Sequence, residues 1–204
     1  MNDSGNTSDD LFDPPWPEKD DSLVTDCGDR SYLAQTMSSG QWEAFVVAYR
    51  KAAEILVERI PEEVIWVNFL VFPIVFLYRH YLELRLKTII QDGKALDGIA
   101  RHTDNEHRLL TLWGQCRPII EQWLVDCPKS DLDSVEDTLK QFENLDSKSQ
   151  AARYPIDNKA ENASNLLNIR INVKKFADTV TKTANFLDCV ADEFAELKSN
   201  RDKC

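Results

Sequence analysis

The side chains best suited to chemistry in this chain begin with a polar stripe inside its most apolar segment, residues 68–91. Arg79, His80, Glu83 and Lys87 recur there at spacings of three and four, which puts them on one flank of a helix. A buried charge is costly unless it is paired or hydrogen-bonded, so this stripe needs partners from elsewhere in the fold. The stripe is either an internal ion-pair network that fixes helix register or part of a functional site.

Two polar segments outside that helix carry the remaining candidates. The segment RHTDNEH runs from Arg101 and His102 to His107, and the segment ARYP contains Arg153 and Tyr154. In the alternative interpretation, the first two are solvated loop residues and His107 caps the next helix. Arg153 would then pair with the carboxylate of the stripe and tie a long loop to the core.

Common enzyme templates are missing from the sequence. It contains no glycine-rich phosphate loop, no GxSxG motif and no HExxH motif. With three histidines and no paired cysteines, we expect no transition-metal site and no cofactor. The five cysteines form no CxxC pair, a pattern typical of reduced intracellular thiols.

Helical periodicity dominates the chain and predicts an all-α fold, an antiparallel bundle of about five main helices. The predicted helices cover about residues 39–60, 68–91, 107–124, 131–145 and 168–199. Pro73 is expected to start or kink the second helix, so that residues 64–72 form a separate short helix, and Pro118 is expected to bend or divide the third. Asp92 and Gly93 have the usual chemistry of a helix C-terminus.

The first thirty residues differ from the rest of the chain in charge. Residues 1–30 hold nine acidic and two basic residues, a charge of −7 out of the total of −11. Rich in proline and acid, they predict a flexible tail followed by a single domain over residues 31–204. Alternatively, Leu11, Phe12 and Trp16 are anchors that dock on a partner or on the domain.

Charge and hydropathy exclude two classes of protein. A sequence-specific DNA-binding protein would present a strongly basic face, which this acidic chain does not predict. The apolar run of residues 64–77 contains Asn68 and Pro73 and ends close to Arg79, so it is too short for a membrane span. The N-terminus has no signal-peptide pattern, and we expect a cytoplasmic protein.

Three local motifs resemble the HEPN superfamily, small helical bundles of prokaryotic toxin and antiviral systems. The helix LYRHYLELRLK is similar to the arginine–histidine helices of several HEPN-like groups. His107, followed by Leu110 and by Leu112 and Trp113, is similar to their histidine–leucine helix start. The segment ARYP resembles a recurrent loop before the final helix, and the likeness extends over about residues 40–195.

This resemblance implies a metal-independent endoribonuclease of a bacterial defence or toxin system. Active members share an arginine, a polar residue and, after four to six intervening residues, a histidine, a spacing that Arg101, His102 and His107 fit. The histidine would move protons while the arginine neutralises the phosphate. The implied catalytic set is Arg101, His102, His107, Arg79, His80 and Glu83. The implied substrate-binding set is Arg153, Tyr154 and Lys87.

The partners implied are RNA, a second copy of the chain in a homodimer, and an antitoxin or sensor subunit. A competing hypothesis is a non-catalytic interaction module, in which the same polar groups only brace the bundle. A third is that the acidic N-terminus masks a basic RNA groove until it is displaced.

Overall fold

The computed structural model of the chain describes residues 19–24, 28–36, 41–62, 64–100, 105–146, 149, 151–153, 166 and 168–201. The chain divides into two units, residues 1–38 and residues 39–204. In the first unit, a short 3-10 helix covers Arg30–Tyr32, and the carboxylate of Asp29 accepts a hydrogen bond from the backbone N–H of Ser31. Leu11, Phe12 and Trp16, the predicted anchors, lie outside the described residues.

The second unit is an all-helical bundle, as the periodicity predicts. Its described residues contain five α-helices and no strand. They are α1 (Trp42–Arg59), α2 (Val67–Leu96), α3 (Leu109–Trp123), α4 (Lys129–Asp146) and α5 (Val173–Arg201).

Helix α2 is the centre of the bundle because it is apolar on nearly every side. It packs against α1, α3 and α5, while α4 bridges α3 and α5. Its residues Ile74, Tyr81, Leu82, Leu86 and Ile89 have no exposed surface. Within the described part of the chain, α2 is the single helix long and apolar enough to span a membrane, and its charged residues Arg79, Glu83, Arg85 and Lys87 are buried within the protein.

Neither proline divides its helix, so the predicted new helix start at Pro73 and the predicted division at Pro118 are wrong. α2 runs through Pro73 without interruption, and the turn before it, Val64–Trp66, is a 3-10 helix rather than a separate α-helix. α3 likewise continues through Pro118. Both prolines are exposed, so water can replace the N–H donor that each lacks.

The predicted end of α2 at Gly93 is wrong, because the helix continues to Leu96. Gly93 is instead buried in contact with α3 and α5. A Cβ atom there would overlap Cγ2 of Ile119 and lie 3.2 Å from Cε2 of Phe194. The left-handed backbone that often follows a helix is found later, at Gly98, where φ is +76°.

The first residues of the last two helices also differ from the predicted ones. α4 begins at Lys129, directly after Pro128, instead of at Asp131. α5 begins at Val173 rather than near residue 168, because Oδ1 of Asn172 accepts a hydrogen bond from the backbone N–H of Lys175 at 3.0 Å and so caps the first turn.

Candidate functional site

Glu83 lies at the centre of a buried charge cluster on α2. Its side chain is 4% exposed. Nη1 of Arg79 lies 3.4 Å from Oε2 of Glu83, and Nζ of Lys87 lies 3.0 Å from Oε1. The four-residue spacing of these three residues therefore gives a row of ion pairs along the helix.

Arg79 extends this cluster to two other parts of the bundle. Its Nε donates to the backbone carbonyl of Asp146 at 2.8 Å, at the end of α4. Its Nη2 donates to the carbonyl of His107 at 2.9 Å, just before α3. The side chain of Arg79 has no exposed surface, so its guanidinium holds backbone segments in place rather than facing solvent.

His107 is the exposed member of the cluster. Its Nδ1 lies 2.8 Å from Oε1 of Glu83, while its side chain is 64% exposed. An ionised carboxylate only accepts hydrogen bonds, so Nδ1 carries the proton in this contact. Nε2 is then the ring nitrogen that can exchange protons with a bound molecule.

The environment of Glu83 keeps this carboxylate ionised. Burial by itself raises the pKa of Glu83, but the hydrogen bonds from His107 and Lys87 outweigh it and leave that pKa below its ordinary value. Burial lowers the pKa of Arg79, and the charges of Asp146 and Glu83 oppose this effect. The result is an anchored anion that orients the imidazole.

Carboxylates already occupy the backbone donors at the start of α3. Oε1 of Glu106 accepts from the N–H groups of His107 and Arg108. The guanidinium of Arg108, together with these backbone hydrogen bonds, lowers the pKa of Glu106 to about 2. The carboxylate of Glu143 of α4 lies near the next two backbone N–H groups, those of Leu109 and Leu110, and burial raises its pKa. A phosphate near His107 must therefore be bound by side chains rather than by the helix N-terminus.

His80 lies on the same flank of α2, within an aromatic environment. Its ring stacks on Phe76, with centroids 5.8 Å apart, and meets Tyr49 edge-on at 4.3 Å. Burial lowers the pKa of His80; the negative charge of Glu83 opposes this effect, and the positive charges of Lys87 and Arg79 reinforce it, so that the pKa stays below its ordinary value. His80 is therefore neutral at neutral pH.

Arg153 comes to the same side of α2 from the loop after α4. Its Nε donates to the carbonyl of Ser149, and its guanidinium lies over the ring of Phe76 at 5.7 Å. Because Phe76 also stacks on His80, this ring connects the exposed Arg153 with the polar stripe.

The structure thus brings together Arg79, Glu83, Lys87 and His107, with His80 and Arg153 beside them. Arg101, His102 and Tyr154 lie outside the described residues, and their roles stay predictions. Sequence reasoning missed two contributors. Phe76, four residues before His80, could have been found from the helical spacing. The contact of Arg79 with Asp146 had no local signal, because 67 residues separate the two.

A second polar cluster, also missed, joins α1, α2 and α5. Nη1 and Nη2 of Arg85 bind the carboxylate of Glu43 at 2.7 and 2.6 Å, and Nε of Arg85 lies 2.7 Å from Asp188. Asp188 also accepts from Arg50 and from the hydroxyl of Tyr81. Each arginine faces carboxylates, so this cluster is a brace between helices.

Within the described ranges, no group of three or more His, Cys, Asp or Glu side chains is arranged to hold a metal ion. No protein-family model, curated protein or solved structure matches the chain.

Proposed function

We propose that this chain is a HEPN-like endoribonuclease that cleaves RNA without a metal ion, using His107 for proton transfer. The observation that carries the proposal is the pairing of an exposed imidazole with a buried carboxylate, Nδ1 of His107 with Oε1 of Glu83 at 2.8 Å. A purely structural ion pair has no need of a largely exposed histidine. General acid–base catalysis needs a proton-transfer group that a bound molecule can reach, and an exposed histidine is one.

In this mechanism, Nε2 of His107 accepts the proton of a ribose 2′-hydroxyl. The 2′-oxygen forms a bond to phosphorus, the P–O5′ bond breaks, and the departing 5′-oxygen takes up a proton from water. Glu83 stabilises the imidazolium that forms, as a carboxylate behind a catalytic histidine does. Arg153 is the exposed cation that supports a phosphate contact, and Arg101 keeps its predicted role as phosphate clamp.

Two buried cations support this arrangement without touching RNA. Lys87 helps to keep Glu83 ionised, while Arg79 pairs with the same carboxylate and fixes the backbone of His107. Both are positioning residues in the proposal. The setting follows the resemblance: a cytoplasmic effector of a bacterial defence or toxin system, a homodimer, regulated by an antitoxin or sensor subunit.

The test is cleavage of end-labelled RNA by the full chain in the presence of a chelator. We expect fragments with 2′,3′-cyclic phosphate ends, and a loss of rate on the order of 100-fold or more in His107→Ala. Arg59→Ala, which changes an exposed arginine of α1, should keep the wild-type rate. Identical products from wild type and His107→Ala would refute the proposal.

The second candidate is a non-catalytic interaction module. Two observations favour it. The guanidinium of Arg79 donates hydrogen bonds to backbone carbonyls. The large apolar residues Ile65, Trp66 and Phe69 are exposed near the start of α2. Such a protein would retain partner binding in His107→Ala and release no RNA fragments. The cleavage assay therefore separates the two candidates.

A further inference from the structure

One face of α2 carries a row of aromatic rings that leads to the candidate histidine. Phe69, Phe72, Phe76 and His80 recur at spacings of three and four, followed by Glu83 three residues later. Residues with this spacing lie above one another on a helix, each step rising about 4.5–6 Å. The row therefore ends one helical turn before the carboxylate that orients the imidazole.

The outer end of the row is open to solvent. The side chain of Phe69 is 62% exposed, and Trp66, at 53%, packs against it with ring centroids 5.6 Å apart. Next along the helix, Phe72 lines an open cavity of about 290 Å³ together with Asn68 and Arg170. Large aromatic surface is seldom left uncovered without a binding partner.

Arginines accompany the rings along this face. Arg170 shares the cavity with Phe72, and the guanidinium of Arg153 lies over Phe76. Both arginines are exposed. Aromatic faces stack on bases while cations follow the phosphates, and this combination binds unpaired nucleic acid with little regard to sequence.

We propose that Phe69 and Phe72, with Arg153 and Arg170, form a track that binds an unpaired RNA strand. The track leads that strand to the cleavage centre, and in this respect the inference rests on the proposed function. The RNA bound by this track is single-stranded, because the bases of a duplex are stacked on one another and present no free face to a phenyl ring.

The sharpest variant is Phe69→Leu, which keeps an apolar side chain at an exposed position and removes the ring. Phe45→Leu on α1, where Phe45 is 54% exposed, is the matched control. Binding would be measured by fluorescence anisotropy in the full chain carrying His107→Ala. The probes are a labelled oligouridine, an oligomer of the same length without bases, and a duplex.

We expect Phe69→Leu to weaken binding of the oligouridine on the order of 5-fold or more, and to leave binding of the base-free oligomer unchanged. Arg170→Gln should weaken both in a salt-dependent way. Phe45→Leu should change neither. Equal affinities for Phe69→Leu and Phe45→Leu, or equally tight binding of duplex and single strand, would overturn the track and leave the apolar surface to a protein partner.

A cleavage assay with His107 intact separates this inference from the proposed function. If RNA binding depends on Phe69 but the wild-type chain does not cut the strand, the nuclease proposal fails and the track stands. If the wild type and Phe69→Leu cut single strands at the same rate with subsaturating RNA, the track fails and the nuclease proposal stands.

Discussion

Nδ1 of His107 lies 2.8 Å from Oε1 of Glu83, so that one hydrogen bond joins an exposed ring before α3 to a buried carboxylate in the middle of α2. Glu83 is also the shared partner of Arg79 and Lys87. The position of the imidazole and the pairing of two buried cations therefore depend on the same side chain.

Glu83→Gln should be strongly destabilising. The amide keeps the shape of the side chain but removes the carboxylate that pairs with Lys87 and Arg79, which leaves Arg79 with the charges of Asp146 and Glu143. Removing one partner of a buried pair costs about 3–5 kcal/mol. Urea unfolding followed by circular dichroism measures the change. The control is Glu62→Gln. Glu62 pairs with the exposed Arg59, and loss of this surface ion pair should lower the free energy of unfolding by less than about 1 kcal/mol. Similar stabilities for the two variants would contradict the central role of Glu83.

Arg79→Lys should be nearly as costly, although it keeps the charge. The guanidinium donates in separate directions to Glu83 and to the carbonyls of His107 and Asp146, and a single ammonium cannot reach all three. We expect the free energy of unfolding to fall by about 3 kcal/mol. Chemical denaturation is the measurement, with Arg59→Lys as the exposed control. A loss no greater than that of the control would show that the contacts with the two carbonyls contribute little.

His80 should make the fold sensitive to mild acid. Its pKa in the folded chain is lowered from 6.5, so the unfolded chain binds more protons between the two pKa values. The stabilisation is complete above pH 6.5 and is lost as pH falls through the folded pKa. His80→Phe keeps a ring between Tyr49 and Phe76 but cannot titrate. Its free energy of unfolding should decline less steeply than that of the wild type from pH 6.5 to about 5. Parallel curves would contradict this role.

Substitution by alanine should change the stability of the protein in opposite directions at two helical glycines. In a helix, alanine is normally better than glycine by about 1 kcal/mol. Gly114 has nothing within 4 Å of an added Cβ, so Gly114→Ala should raise the thermal midpoint. Gly93→Ala would drive its methyl group into Ile119 and should destabilise the chain by about 1–3 kcal/mol.

The double variant Gly93→Ala with Ile119→Ala tests the cause of that loss. If overlap with Ile119 is responsible, the double variant should lose less than the sum of the two single changes. Strict additivity would mean that the close approach of α3 does not explain why position 93 is glycine.

Local sequence predicted the helices well because apolar spacing is a property of a few adjacent turns. Composition predicts the stretch of α2 as the buried centre, and most of its residues from Ile74 onward are buried, while Asn68 and Phe69 near its start are exposed. Helix ends were less predictable. Gly93 is typical of a helix C-terminus, but glycine is needed there because Ile119 of α3 packs where a Cβ atom would lie. The residues next to Gly93 in the sequence do not indicate this contact.

By itself, the sequence determined the all-helical class, the central helix and the row Arg79, Glu83 and Lys87, since contacts between residues four apart follow from helix geometry. Only the tertiary structure decided that His107 meets Glu83, that Arg79 holds the carbonyl of Asp146, and that the apolar side chain of Phe45 on α1 faces solvent. These relationships join residues far apart in the chain or depend on how one helix rotates against another. They are set by the packing of the whole bundle, which no short window of sequence contains.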